Sequence, residues 1–224
     1  MIPILFQSPH FVVLNKPAGL AVHPGPGGGP SVEDSFPALS RRKDGPWLVH
    51  RLDADTAGCL VVALRKQALL AAQAAFLAGS VRKTYWAIVH GVPALAAGDV
   101  ENRLQKRSDR TGWRMEPAPT GLPARTTWRL MGHTNDIAWL ELKPWTGRTH
   151  QIRVHCAELG HPILGDPVYG RHGAARGVGT CGDGPMQLLA RAISLPLEPP
   201  VAAAAPPPAH MREGLLACGW PGDA

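Results

Sequence analysis

Apolar and polar positions alternate in blocks short enough for strands over much of the chain. Residues 2–23 read as short strands broken by turns, because Phe11-Val12-Val13-Leu14 is a β-rich run and Lys16-Pro17-Ala18-Gly19 is turn chemistry. PGPGGGP, residues 24–30, is a loop, and Ser31 followed by Glu33 and Asp34 marks the start of a short helix that has Pro37 near its end. Trp47-Leu48-Val49 leads into the polar stretch HRLDADTAG, residues 50–58, and the run Cys59–Leu64 is apolar enough for a buried strand. The stretch KQALLAAQAAFLA, residues 66–78, closes at Gly79 and predicts a helix with a glycine stop. Tyr85–Val89 returns as strand.

Residues 98–121 are polar, with Arg103, Lys106, Arg107, Arg110 and Arg114 set against only Asp109 and Glu116 after Glu101, and they read as an exposed basic insertion. Residues 125–131 and 136–142 predict a strand pair, Thr149 to Leu159 a helix ended by Gly160, and Gln187 to Leu197 the last core strand. The Pro/Ala tract after Pro196 offers little to pack and reads as a linker or surface strap, which sets a domain over 1–197 and a tail over 198–224. Many β runs mixed with three or four helices predict an α+β fold rather than strict βαβ alternation.

Composition narrows the class. The chain has 224 residues, 45% apolar and 18% charged, with 25 Gly and 23 Pro, so it is globular and rich in turns. No stretch approaches the ~18 consecutive apolar residues of a membrane helix, and the start lacks a basic region and a cleavable apolar segment; a soluble, cytoplasmic protein without a membrane partner is expected. A net charge of +6 and 10 His favour a polyanionic partner such as nucleic acid. Cys59, Cys156, Cys181 and Cys218 have no CxxC pairing and read as free thiols.

Two segments concentrate chemistry. His50-Arg51-Leu52-Asp53-Ala54-Asp55-Thr56 packs two carboxylates, an Arg and a His between apolar runs, where charge is costly unless paired; an ordinary polar turn capped by Asp55 or Thr56 accounts for the spacing equally well. The second is Thr146-Gly147-Arg148-Thr149-His150-Gln151-Ile152-Arg153-Val154-His155, followed by Gly160-His161-Pro162-Ile163-Leu164-Gly165-Asp166. A glycine before a helix start with an Arg nearby is a reasonable anion site. His150 and His155 would point about 140° apart on a helix, which disfavours a metal shared with His161.

HRLDADTAGCLVVA, KTYWAIVHG (83–91) and TGRTHQIRVHCAELGHPILGDPVYG (146–170) resemble, in order, the three signature segments of the RluA-type pseudouridine synthases. NKPAGLAVHPG (15–25) and GLPARTTWRL (121–130) extend the resemblance over about residues 10–197. It implies the pseudouridine synthase fold, with a mixed, mainly antiparallel central sheet and flanking helices. The implied reaction turns uridine in RNA into pseudouridine with no metal or organic cofactor. By similarity Asp53 is the catalytic aspartate, Tyr85 stacks on the uracil and takes part in removing the carbon 5 proton, and Arg153 pairs with the aspartate. Arg51 resembles the arginine that fills the space left by a flipped nucleotide, and Ile152 offers an apolar contact, though core packing explains it as well. Arg148 and His150 of the third motif, with Arg107, Arg110 and Trp113 of the basic stretch, are the remaining candidates for holding RNA; Arg41-Arg42-Lys43 could grip phosphates too. The motif-bearing start within the first twenty residues is expected to leave the catalytic domain to read a tRNA or ribosomal RNA hairpin largely alone, as a monomer.

Departures exist: Leu188-Leu189-Ala190 stands where the family usually has Leu-His-Ala, and Thr56-Ala57-Gly58 where it has Thr-Ser-Gly. Two other readings remain, a catalytically silent RNA-binding protein on this fold and a metal-dependent hydrolase using His150, His155 and His161.

Overall fold

The computed structural model describes residues 1–25, 28–42, 44–110, 112–170 and 184–222. Lys43, Cys181 and most of the Gly-rich 170–185 segment lie outside the described residues. The chain forms two compact units, Met1–Thr84 with Leu189–Pro208, and Tyr85–Leu188 with Ala209–Ala224.

In the first unit β1 (Ile4–Gln7) and β2 (Phe11–Lys16) form a hairpin, and β2 lies antiparallel to β4 (Ala57–Ala63). Every residue of β4 is buried, as its unbroken apolar run predicts for a strand covered on both faces. The short β3 (Trp47–Leu48) pairs antiparallel with β4, and β10 (Leu188–Leu195) pairs parallel with it through Leu189↔Ala57 and Ala190↔Gly58. That approach requires Gly58: at φ +108° any Cβ there would run into the Ala190 carbonyl. The 12-residue helix α2 (Lys66–Leu77) buries Ala68, Leu69 and Ala72 and stops at Gly79, φ +67°. The helix expected at Ser31 is one 3-10 turn (Val32–Ser35) running into a four-residue α1 (Phe36–Leu39), begun by the Asp34 carboxylate accepting from the Ser31 amide at 2.8 Å.

The second unit is an antiparallel sheet, ordered β5 (Arg82–His90, from Tyr85 onward), β9 (Ile137–Pro144), β8 (Leu122–His133), β6 (Ala97–Asp109) and β7 (Gly112–Pro117). Helix α3 (Gln151–Glu158) packs Ile152 and Cys156 against Ala87, Val89, Trp128, Leu140 and Leu142, and Val154 against Leu104, Ala124 and Tyr169. Helix α4 (Ala209–Ala217) buries Met211 and Leu215, with Gly214 lying tightly against Ile88. Counted over both units the strand pairing is mixed and mainly antiparallel, with helices beside the strands, as expected.

Two expectations are corrected. Residues 98–121, expected as an exposed basic insertion, are largely exposed but belong to the sheet as the 13-residue β6 and the shorter β7, and their arginines are partly neutralised: Arg107 lies 3.4 Å from Glu116 and Arg114 lies 3.1 Å from Asp109. The Pro/Ala tract is not an unpacked strap. Val201–Ala204 forms β11, antiparallel to β10, so β10 is not the last strand, and Val201, Ala205, Met211, Leu215 and Trp220 are all buried. Alanine is a weak strand former, but here pairing with β10 and burial decide the outcome.

Met211 is fully buried, so Met211→Ala is expected to cost about 2–5 kcal/mol of stability, read as a lower urea midpoint. A loosely attached tail would give no measurable change.

Candidate active site

The polar segment 50–56 is anchored by hydrogen bonds at His50, Ala54 and Thr56. His50 Nε2 accepts the Val61 amide at 3.1 Å, and its ring lies 5.4 Å from Phe76. Burial above all, reinforced by the positive charge of Lys83, brings the His50 pKa down to about 4, so the imidazole is neutral and free to accept that hydrogen bond. Leu52 is buried at 7% exposure and Thr56 at 2%, while Asp53 and Asp55 between them are half-buried and Arg51 and Ala54 are exposed. The Thr56 amide donates to the Asp53 carbonyl at 3.2 Å, closing a tight turn.

Lys16 is the residue that pins this turn, and nothing in the reading of KPAG as turn chemistry pointed to it. Its side chain is 0% exposed, and its ammonium donates to the carbonyls of Pro17 (2.8 Å), Leu20 (2.7 Å) and Ala54 (2.6 Å), the last lying between the two aspartates. Three donors meet three acceptors, so the buried ammonium is satisfied without water. Burial pulls its pKa to about 8, against the opposing pull of Asp55 and Asp53.

In the second unit Tyr85 is half-buried on β5, opposite Leu142 of β9, and packs against the main core cluster. Arg153 is buried at 4% exposure on α3. The resemblance pairs it with Asp53; the pairing seen within its own unit is with Asp166, through Nε (2.7 Å) and Nη2 (2.8 Å). Asp166, 0% exposed, also accepts the amides of Val168 (2.9 Å) and Tyr169 (3.0 Å) through Oδ1. Burial alone would raise the Asp166 pKa, but the Arg153 guanidinium and these two amides hold it below the usual carboxylate range. Beneath the pair lies the ring of Tyr169, 5.1 Å from the Arg153 guanidinium carbon. Sequence reasoning quoted both residues inside the third motif without giving either a task. The available signal was Arg153 itself, a charge amid a run of buried helix positions, which demands a nearby carboxylate.

The remaining candidates separate. Ile152 is 7% exposed and packs in the core cluster, the blander of its two readings. Arg148 donates from Nε to the Pro123 carbonyl at 2.9 Å. Arg110 is exposed at the tip between β6 and β7, and Arg107 faces Glu116. Trp113, 44% exposed, does meet His150: their rings stack at 4.8 Å and 25°, and the Lys106 ammonium lies 4.8 Å from the indole. The three histidines of the metal reading have separate partners. His150 Nδ1 meets the Tyr169 hydroxyl at 2.9 Å, His155 bridges Thr126 (2.8 Å) and Asn102 (3.1 Å), and His161 meets the His90 carbonyl at 2.9 Å.

A family model for RNA pseudouridylate synthases matches residues 10–158. An uncharacterized RNA pseudouridine synthase of Zymomonas mobilis is 40% identical over 172 residues, covering 75% of this chain and 78% of that one. Ribosomal large subunit pseudouridine synthase D of Xylella fastidiosa is 44% identical over 172 residues, 75% of this chain, and the match covers about half of that protein, 51%. Among solved structures, human RNA pseudouridylate synthase domain containing 4 superposes with a TM-score of 0.78 at 29% identity, over 96% of this chain and 92% of that one. No helix among the described residues is long and apolar enough to cross a membrane. With the sequence match spanning the segment that carries Asp53, Tyr85 and Arg153, and the fold matching over nearly the whole chain, this protein belongs to the RNA pseudouridylate synthase family, isomerases that convert uridine in RNA to pseudouridine.

Proposed function

We propose that this chain isomerises one or a few uridines in structured RNA, ribosomal or transfer, with Asp53 as the catalytic carboxylate. The observation that carries the reading is the display of Asp53: a half-buried carboxylate on a turn immobilised by the buried Lys16 ammonium and followed at once by a fully buried strand. A carboxylate held this way is suited either to attack ribose carbon 1 or to take its 2′ proton, because orientation is supplied before substrate arrives. The N-glycosidic bond breaks, the uracil turns over, carbon 5 bonds to ribose carbon 1, and the proton on carbon 5 leaves while N1 gains one. Atoms and electrons balance within the substrate, so neither oxidant nor water is consumed.

The resemblance of their motifs supports placing Tyr85 at the uracil face and near the carbon 5 proton, and Arg153 as the group that keeps a carboxylate ionised. Arg51, exposed beside the turn, is suited to fill the gap left by a flipped nucleotide, whose unstacking costs a few kcal/mol. Exposed Arg41, Arg42 and Arg110 are suited to phosphate contacts that offset this cost. The name of the Xylella relative favours ribosomal RNA over transfer RNA as the target.

The test is pseudouridine mapping of ribosomal and transfer RNA from a deletion strain carrying wild type or Asp53→Asn. One or a few uridines are expected to lose the modification, and only wild type to restore it. Purified Asp53→Asn should lose turnover by roughly a thousandfold or more while still binding RNA. Maps identical in all strains would instead favour an RNA-binding protein without activity.

The Lys16 account has its own signature. Lys16 and Lys83 both titrate near 8 in the folded chain because burial disfavours their charge, and near 10.4 when unfolded. Between those values the unfolded chain binds more protons at these two lysines, while Cys59, Cys156 and Cys218, whose thiols burial pushes up, act in the opposite direction. The signature is therefore the difference between wild type and Lys16→Met: in urea unfolding, wild type is expected to gain stability relative to the variant as pH is raised from about 8 to about 10, and parallel profiles would mean the ammonium is not buried as described.

A further inference from the structure

The second unit contains a continuous set of contacts from an exposed hairpin to the buried Arg153. At its outer end Trp113 of β7 is 44% exposed, with the Lys106 ammonium 4.8 Å from its ring, an aromatic-and-cation pair suited to an unstacked base and its phosphate. The next member is His150, stacked on Trp113 and held at φ +53°, a left-handed conformation that is uncommon for a residue other than glycine and marks a position fixed by its surroundings. His150 also starts α3, since its carbonyl accepts the Val154 amide at 3.0 Å, one residue beyond Arg153.

Tyr169 joins the two ends. Its hydroxyl accepts the Met115 amide of β7 at 2.9 Å and meets His150 Nδ1 at 2.9 Å, while its ring lies beneath the Arg153 guanidinium and its amide donates to Asp166. At 5% exposure it has little room to move. A shift of the hairpin on RNA would therefore bear on a side chain whose ring also lies 5.1 Å from the Arg153 guanidinium carbon.

We propose that Tyr169 is a positioning residue that couples RNA engagement at Trp113 to Arg153, so that the hairpin contributes to turnover and not only to affinity. This rests on the reading of Arg153 and Asp53 given above. An anchoring role alone would make Trp113 a pure affinity residue and Tyr169 a core aromatic.

The test is single-turnover conversion of an in vitro large-subunit ribosomal RNA transcript at saturating protein, with RNA affinity measured in parallel. Trp113→Ala is expected to weaken binding and also to lower the saturating rate, by about fivefold or more. Tyr169→Phe keeps the ring under Arg153 but loses both hydroxyl links, and should lower the saturating rate to a similar extent with little change in affinity. In the double variant Trp113→Ala should weaken binding further yet leave the rate where Tyr169→Phe already set it. His150→Asn, which tolerates the left-handed backbone and removes the stacked ring, is the second way to cut the same link and should lower the saturating rate to a similar extent, whatever it does to affinity. Rate losses that multiply, or a Tyr169→Phe enzyme with the wild-type rate, overturn the coupling. A readout independent of turnover uses Asp53→Asn protein: RNA should slow hydrogen exchange of the Met115 amide and the first turn of α3, and adding Tyr169→Phe should abolish the effect in α3. If the α3 effect persists the coupling is overturned, whereas a fully active Asp53→Asn enzyme would overturn only the underlying assignment of the aspartate.

Discussion

A guanidinium that is 4% exposed has to meet a carboxylate, and much of the second unit is arranged around meeting this demand. Helix α3 has eight residues, of which Gln151 through Cys156 are all buried, so Arg153 cannot swing to solvent without dismantling the helix packing. Asp166 is brought to it by a turn whose Gly165 sits at φ +72°, closely backed by the carbonyls of Gly184 and Pro185. Removing either member would take from a buried charge its bidentate partner, a change that typically costs about 3–5 kcal/mol, so helix, turn and Tyr169 hold one arrangement together. The same demand organises the neighbouring polar groups. Gln151 donates to the Arg125 carbonyl and to Thr126, and Thr126 in turn engages His155, whose pKa burial lowers to about 4 so that it bonds as a neutral ring.

The first unit solves an analogous problem with a lysine. An ammonium offers three hydrogens in a tripod rather than a planar fork, and Lys16 spends them on backbone carbonyls from two separate stretches of chain. A carbonyl is an uncharged acceptor, so these hydrogen bonds solvate the positive charge with dipoles, and the negative charges of Asp55 and Asp53 favour it further.

Much of this architecture is legible in the amino-acid order, for identifiable reasons. β4 and α2 are announced by an unbroken apolar run and by an Ala/Leu-rich stretch ending in glycine, and β8 and β9 by alternation about a short polar turn. The hairpin β6–β7 is hidden because only a few of its positions, among them Leu104 and Met115, face the core, and the polar majority mimics a solvated loop. Strand β11 is hidden because Ala and Val at four consecutive positions carry little information beside flanking prolines. In the site, spacing alone left Asp53 and Asp55 equivalent and gave Tyr85 and Arg153 ordinary readings; motif resemblance singled them out. Lys16, Asp166 and Tyr169 were overlooked because a buried charge is recognisable only once its partner is known, and both partnerships bridge loops that sequence spacing does not measure.

The interleaving of the two units has a consequence for how the chain acquires its structure during synthesis. The first unit is completed only by Leu189–Pro208 and the second only by the segment after it, so each lacks an integral part until residues beyond 188 have been made. Until then β4 waits without its parallel neighbour and the face of β9 that α4 covers stays bare. Neither half can be finished from the residues before 188 alone, so the apolar faces awaiting their covers are the surfaces most open to aggregation in a partly made chain.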